Sequence, residues 1–112
     1  MTLMIVEDSS EFRKMLIKLF SPHFTEIIET DNGVDAVQKY ERHKPDWVFM
    51  DISIKKSDGI SVTKQIINKH PKAMIVMVSQ YNNPRIINAA MNAGAVDYVN
   101  KDDISRLFKI IN

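Results

Sequence analysis

The sequence predicts an α/β domain built on a five-stranded parallel sheet with helices on both faces. Three observations carry this reading. Short apolar runs alternate with stretches of helical periodicity five times within 112 residues, as parallel βα units require. Two of the runs, Trp47–Met50 and Met74–Val78, are apolar throughout, as strands covered on both faces are. Turn and cap residues (Pro22, Asn32-Gly33, Pro45, Pro71, Pro84 and Gly94) fall at the joints between runs.

The elements follow in order. Leu3–Val6 is the first strand and stops at two carboxylates, Glu7 and Asp8. Ser9 or Ser10 caps the first helix. There Phe12, Met15, Leu16, Leu19 and Phe20 recur at helical spacing and form the expected inner face. Glu26–Thr30, holding Ile27 and Ile28, is the second strand. Asp31-Asn32-Gly33 turns the chain into a second helix marked by Val34, Val37 and Tyr40. Trp47–Met50 is the third strand. Ser57 or Asp58 opens the third helix, with Ile60, Thr63, Ile66 and Ile67 turned inward. Met74–Val78 is the fourth strand, and Pro84 takes the first position of the fourth helix. Ile87, Ala90 and Met91 are expected on its inner face and Gly94 at its stop. Asp97–Asn100 is the fifth strand, and Ile104–Ile111 the closing helix. Met4, Met50, Met74 and Met77 are read as core filler. Right-handed crossovers fix most of the topology.

Composition excludes several classes. Fifteen basic against fourteen acidic residues give a net charge of +1, which argues against direct nucleic-acid contact. The absence of cysteine removes disulfides, thiol catalysis and Cys-ligated zinc. No apolar run approaches the roughly 20 residues that span a bilayer. The N-terminus lacks the basic start and long apolar stretch of a signal peptide. The expectation is a soluble, cytoplasmic single domain over residues 1–112, without membrane contact. The short closing helix reads as a truncated one, with an output domain following in a longer protein.

Ligands of doubly wound sheets sit at the carboxyl ends of the strands, so the residues there carry the chemistry. The first strand ends in Glu7-Asp8, the third in Asp51, the fourth in Ser79, and the fifth just before Lys101. The first and third strands should be neighbours, which brings three carboxylates together. Such a cluster must protonate or recruit a cation. All-oxygen donors favour a hard ion, Mg²⁺ or Mn²⁺. With Lys101 and the Ser79 hydroxyl, the set suits phosphoryl transfer, which depends on positioning and charge neutralisation. A carboxylate nucleophile there gives an aspartyl phosphate.

Five motifs carry a family resemblance: Ile5-Val6-Glu7-Asp8-Ser9, Val48-Phe49-Met50-Asp51-Ile52, Asp58-Gly59, Val78-Ser79, and Ala93-Gly94-Ala95 leading to Tyr98-Val99-Asn100-Lys101. In this order the chain resembles the receiver domain of two-component response regulators over nearly its whole length. The resemblance implies a flavodoxin-like sheet of order 2-1-3-4-5. It implies a phosphorylation switch, not a turnover enzyme. Asp51 corresponds to the phosphoacceptor, served by a sensor histidine kinase or a histidine phosphotransfer protein. Asp8 and Asp51 would touch the metal directly, Glu7 through water, and the backbone carbonyl of Ser53 would complete the set. Lys101 would pair with Asp51 and then with phosphoryl oxygens. Ser79 and Tyr98 correspond to the switch pair, and Ser53 and Tyr81 flank the phosphoryl group and influence its lifetime. Homodimerisation on phosphorylation is a further expectation.

Some positions depart from the common pattern. Glu7 stands where Asp is frequent. Lys55 and Lys56 stand where a proline and a variable residue are common, so the loop after Asp51 is expected to be mobile and to add positive charge beside the site. Asp102 replaces a common proline and removes an expected cis peptide bond. Ser79-Gln80-Tyr81 with Lys101-Asp102 looks like receivers joined to LuxR-type DNA-binding domains. Ile86 adjoins Ile87 on the fourth helix, so both cannot face the core; an exposed Ile86 beside Tyr98 would belong to a partner surface. Taken singly, these residues have plainer readings: Asp51 as a cap, Lys101 as a surface lysine, Ser79 bonded to backbone, and Ile86 as an ordinary exposed apolar residue.

Three other functions compete. An aspartyl-nucleophile phosphatase wants a second Asp two residues after the first, and Ser53 occupies that place. A flavin carrier wants a hydroxyl- and glycine-rich loop after the first strand, and Glu7-Asp8-Ser9-Ser10-Glu11 is acidic. A phosphorylation-independent interaction module would not need the complete acceptor set. Trp47, four residues before Asp51, is a candidate fluorescent reporter of binding.

Overall fold

Most apolar runs form strands close to where the sequence puts them. The computed structural model describes all residues, Met1–Asn112. The strands are β1 (Thr2–Val6), β2 (Glu26–Thr30), β3 (Trp47–Met50), β6 (Ile75–Ser79) and β7 (Asp97–Asn100), with two-residue strands β4 (Ser53–Ile54) and β5 (Ser57–Asp58) between them in sequence. The main sheet is parallel throughout and runs β2-β1-β3-β6-β7. Because β4 and β5 lie outside it, this is the expected 2-1-3-4-5 order. The helices are α1 (Ser10–Phe20), α2 (Gly33–His43), α3 (Gly59–Lys69), α4 (Pro84–Asn92) and α5 (Arg106–Ile111).

Side-chain caps start four of the helices. Ser9, Asn32, Asp58 and Asn83 accept backbone N–H bonds from Phe12, Asp35, Ser61 and Ile86. Each such cap contributes about 1 kcal/mol. Alternation along the strands then splits the core in two. Met4, Val6, Val48, Met50, Ile75 and Met77 pack under α2, α3 and α4 through Ala36, Tyr40, Val62, Ile66 and Ala90. Leu3, Ile5, Phe49, Val76, Val78 and Val99 face α1 and α5 through Leu16, Phe20 and Leu107.

Several expected inner faces are narrower than read. On α1 the buried stripe is Leu16 and Phe20 with Phe12 beside it, whereas Met15 and Leu19 are exposed. Residues 12, 16 and 20 lie one above another, and 15 and 19 form the flanking stripe. On α4 the pair that packs inward is Ile86 and Ala90, so Met91 is exposed and Ile86 is half-buried against the core. Val34 is exposed, and so is Met74, which precedes β6 by one residue. The closing helix begins at Arg106, because a 3₁₀ turn at Lys101–Asp103 takes up the chain before it.

The loop after Asp51 also differs from expectation. It folds into the antiparallel pair β4–β5 and is stitched to the turn before α2. Gly33 N–H donates to the Lys55 carbonyl at 2.9 Å, and Lys55 N–H to the Asp31 carbonyl at 3.4 Å. The Lys55 ammonium pairs with Asp31 at 3.3 Å, so its charge is matched at that turn. Lys56 takes up the bend with φ 63°. All peptide bonds are trans, including the one before Asp102.

Candidate functional site

Ladder hydrogen bonds continue past the strand ends and fix the acidic residues. Glu7 N–H donates to the Thr30 carbonyl at 3.0 Å, and Asp51 N–H to the Val6 carbonyl at 2.9 Å. Carboxylate oxygens of Glu7, Asp8 and Asp51 consequently lie within 4.8 Å of one another. Glu7 and Asp51 are buried. Lys101, the first residue of the 3₁₀ turn after β7, reaches across to both. Its Nζ lies 3.0 Å from Glu7 Oε1 and 3.3 Å from Asp51 Oδ2. Backbone donors hold the second carboxylate oxygens of Glu7 and Asp51. Ser9 N–H bonds Glu7 Oε2 at 3.1 Å, and Ser53 N–H bonds Asp51 Oδ1 at 3.3 Å.

Burial dominates the electrostatics. It pushes the Glu7 carboxyl up to about 7, with the neighbouring Asp51 adding to the rise and the Ser9 and Lys101 bonds opposing it. Burial alone would lower the Lys101 ammonium, but the Glu7 and Asp51 carboxylates outweigh it and hold the lysine above its ordinary range. The site is thus a carboxylate cluster bridged by one half-buried lysine, with oxygen donors that could hold a metal ion.

Ser79 and Tyr98, the pair expected to act as a switch, belong to a second, connected set. Ser79 ends β6, buried, and its Oγ accepts the Tyr81 N–H at 3.0 Å. The Tyr98 hydroxyl donates to the Tyr81 carbonyl at 2.8 Å, and burial raises the Tyr98 phenol above its ordinary range. The Tyr81 hydroxyl lies 3.3 Å from Ser53 Oγ. One residue, Tyr81, therefore touches Ser79, Tyr98 and the loop that carries Ser53. Ile86 and Tyr98 both pack against the α2–α4 core, so Ile86 is not the freely exposed side chain expected of it. Trp47 and Asp51 bracket β3 at opposite ends, roughly 13 Å apart at strand rise, which makes Trp47 a remote reporter.

Three positioning residues escape a reading of the strand ends. Arg13 on α1 donates to the Glu7 carbonyl at 2.6 Å and to Glu29 on β2 at 2.8 Å. The Phe12 ring lies with its centroid 4.4 Å from Lys101 Nζ. Gly59 N–H donates to the Ile52 carbonyl at 2.7 Å, and a Cβ at Gly59 would stand 2.0 Å from the Asp51 carbonyl oxygen. The signal for Phe12 and Arg13 is position alone: they lie in the first turn of the helix that the acidic pair opens. The Asp58-Gly59 motif was visible, but its cap reading did not disclose that α3 approaches the Asp51 backbone.

Comparison with known proteins agrees with this geometry. Residues 3–112 match the family model of the response regulator receiver domain. The chain belongs to this receiver family. It is 36% identical over 111 residues to the chemotaxis protein CheY of Bacillus subtilis, covering 96% of this chain and 92% of that protein. The CheY of Thermotoga maritima is 34% identical, over 97% and 92%. Among solved structures, the receiver superposes on a LuxR-family DNA-binding response regulator from Staphylococcus aureus with TM-score 0.89 and 30% identity, covering 99% of this chain and 95% of that one. Receiver domains are signalling switches. No helix here is long and apolar enough to cross a membrane.

Proposed function

We propose that this receiver takes a phosphoryl group onto Asp51 from a phosphohistidine of a sensor kinase or phosphotransfer protein. The observation that carries the reading is the single lysine spanning Glu7 and Asp51 at the joined ends of β1 and β3. The donors suit a hard divalent ion: carboxylates within 4.8 Å of one another match Mg²⁺, or Mn²⁺, with metal–oxygen distances of about 2.1 Å. Asp8, Asp51 and the Ser53 carbonyl would hold it, with Glu7 acting through water. When bound, such an ion neutralises charge on the phosphoryl oxygens.

The protein's own groups do the rest. A carboxylate oxygen of Asp51 attacks phosphorus while the P–N bond to the donor imidazole breaks and the nitrogen keeps the electron pair. Lys101 moves its charge from the Asp51 carboxylate toward the new phosphoryl oxygens. Ser79 leaves the Tyr81 N–H and donates to one of them. Because the Tyr81 carbonyl also accepts the Tyr98 hydroxyl, that shift biases Tyr98, and with it the partner or dimer surface to which Tyr98 belongs. Attack by water on phosphorus returns free Asp51 and inorganic phosphate. Ser53 and Tyr81, whose hydroxyls lie 3.3 Å apart, restrict that water and so influence the lifetime. The Ser79-Gln80-Tyr81 and Lys101-Asp102 segments favour a LuxR-type regulator, in which a DNA-binding output domain reads the switch.

Incubation with Mg²⁺ and acetyl phosphate followed by intact-mass measurement tests the reading. One phosphoryl adduct is expected, lost in Asp51→Asn and lost when EDTA removes the ion. An adduct that survives Asp51→Asn places the chemistry elsewhere. Sustained turnover of a simple phosphate ester would point to a phosphatase instead.

A further inference from the structure

We infer that Phe12 is a positioning residue for Lys101, its ring acting as the wall against which the ammonium is held while it passes from carboxylate to phosphoryl group. The inference rests on the phosphoacceptor reading of Asp51. A lysine ammonium has three N–H donors. Two sides of the Lys101 Nζ are taken by Glu7 at 3.0 Å and Asp51 at 3.3 Å. A third side meets the Phe12 ring, 4.4 Å from its centroid, well inside the range of a cation–π contact. The side chain of Lys101 is only 21% exposed, so ring and carboxylates replace much of its water.

The ring's place is fixed by the chain around it. The Ser9 hydroxyl caps α1 by accepting the Phe12 N–H at 3.3 Å, and the ring packs on the α1–α5 core. The same turn carries Arg13, which bonds the Glu7 carbonyl. One turn of helix thus orients both the acidic pair and the lysine opposite it. A ring face attracts the cation without accepting a directed hydrogen bond, so it lets Nζ turn between oxygen partners. An oxygen ligand in its place would compete with the phosphoryl group.

Lysine side-chain NMR on the labelled full chain tests this directly, because methylene protons over a ring face are shifted upfield. The Lys101 ε-methylene signal, assigned by its loss in Lys101→Arg, is expected upfield. It should return toward the ordinary lysine position in Phe12→Leu and stay upfield in Phe12→Tyr. Phosphorylation by acetyl phosphate should slow about three- to tenfold in Phe12→Leu, the size such a contact implies, with the rate kept in Phe12→Tyr. An ordinary Lys101 signal in the unsubstituted protein overturns the inference. So does equal slowing in Phe12→Leu and Phe12→Tyr at equal folded stability, which would mean packing alone. If the Lys101 signal follows the ring but the protein accepts no phosphoryl group, the acceptor reading fails and the ring–ammonium clamp stands.

Discussion

Arg13 shows how much one side chain beyond the acidic cluster contributes. Its guanidinium bonds the Glu7 carbonyl on one side and the Glu29 carboxylate on the other, while Glu7 N–H is held by Thr30. The backbone of Glu7 is therefore fixed at both its donor and its acceptor. Arg13→Met keeps the apolar stem but frees that carbonyl, at a cost of about 1.5–3 kcal/mol for a charge-assisted bond. Urea unfolding should show that loss, and calorimetric titration should show weaker Mg²⁺ binding. Unchanged values of both would remove Arg13 from the site. Tyr81 acts at the other rim, where its hydroxyl meets Ser53. Tyr81→Ala should shorten the life of the phosphoryl group, followed as loss of the mass adduct after acetyl phosphate is removed. Decay as slow as before would show that Tyr81 does not shield Asp51. The Arg13 contact is not legible in the sequence, whereas the resemblance already sets Ser53 and Tyr81 beside Asp51. A helical stripe reports which side chains face inward, not which polar tip reaches a neighbouring loop.

Whole elements were legible where side-chain patterning governs them. The bounds of β2, β3 and β7 match the sequence reading, because apolar runs end at charged or turn residues there. The β4–β5 pair was not legible, since its bonds to the Asp31–Gly33 turn run between backbone groups and leave no side-chain pattern. Helix faces were half legible: periodicity identified α1 and α4 but could not choose between adjacent stripes. Close approach of elements brings its own sensitivities. At the start of α3, Gly59→Ala would place a methyl 2.0 Å from the Asp51 carbonyl oxygen, so strand end and helix must separate. We expect a loss of roughly 2–4 kcal/mol, in the range of overpacked sites, together with slower phosphorylation, read by urea midpoint and by mass. At the end of α2, Lys44 sits at φ 45° with its N–H on the Tyr40 carbonyl. A left-handed conformation costs a side-chain-bearing residue about 1–2 kcal/mol and glycine far less. Lys44→Gly should therefore stabilise the domain by about 0.5–1 kcal/mol net of chain entropy. A lower unfolding midpoint would contradict that.

At the scale of the whole molecule, the candidate site gathers at the carboxyl ends of the strands, and the opposite ends hold the layers together. There Glu41 on α2 bonds His70 after α3, and the His70 ring packs near Tyr40. The His70 bond holds the Glu41 carboxyl below its ordinary value of 4.5. A depressed carboxyl adds stability that is complete above that ordinary value and is lost as pH falls through the folded one. Glu41→Gln should thus lower stability near neutral pH and make it fall less steeply under acid, measured by urea midpoints from pH 7 to pH 3. Parallel curves would remove the pair from the account. The effect is small, because Glu41 is exposed.

The convergence of Glu7, Asp8, Asp51 and Lys101 was readable in the sequence, since each lies at or just past a strand end. The coupling of this set through Tyr81 and Phe12 leaves no sequence signal, since those links arise only when loops and helix turns meet in space. Borohydride reduction of the phosphorylated protein, followed by peptide sequencing, tests the central claim most directly, because it converts an acyl phosphate to its alcohol. Homoserine at position 51 and nowhere else is the predicted result. Homoserine at Asp8 or another carboxylate, or none in a protein that carries the mass adduct, would contradict it.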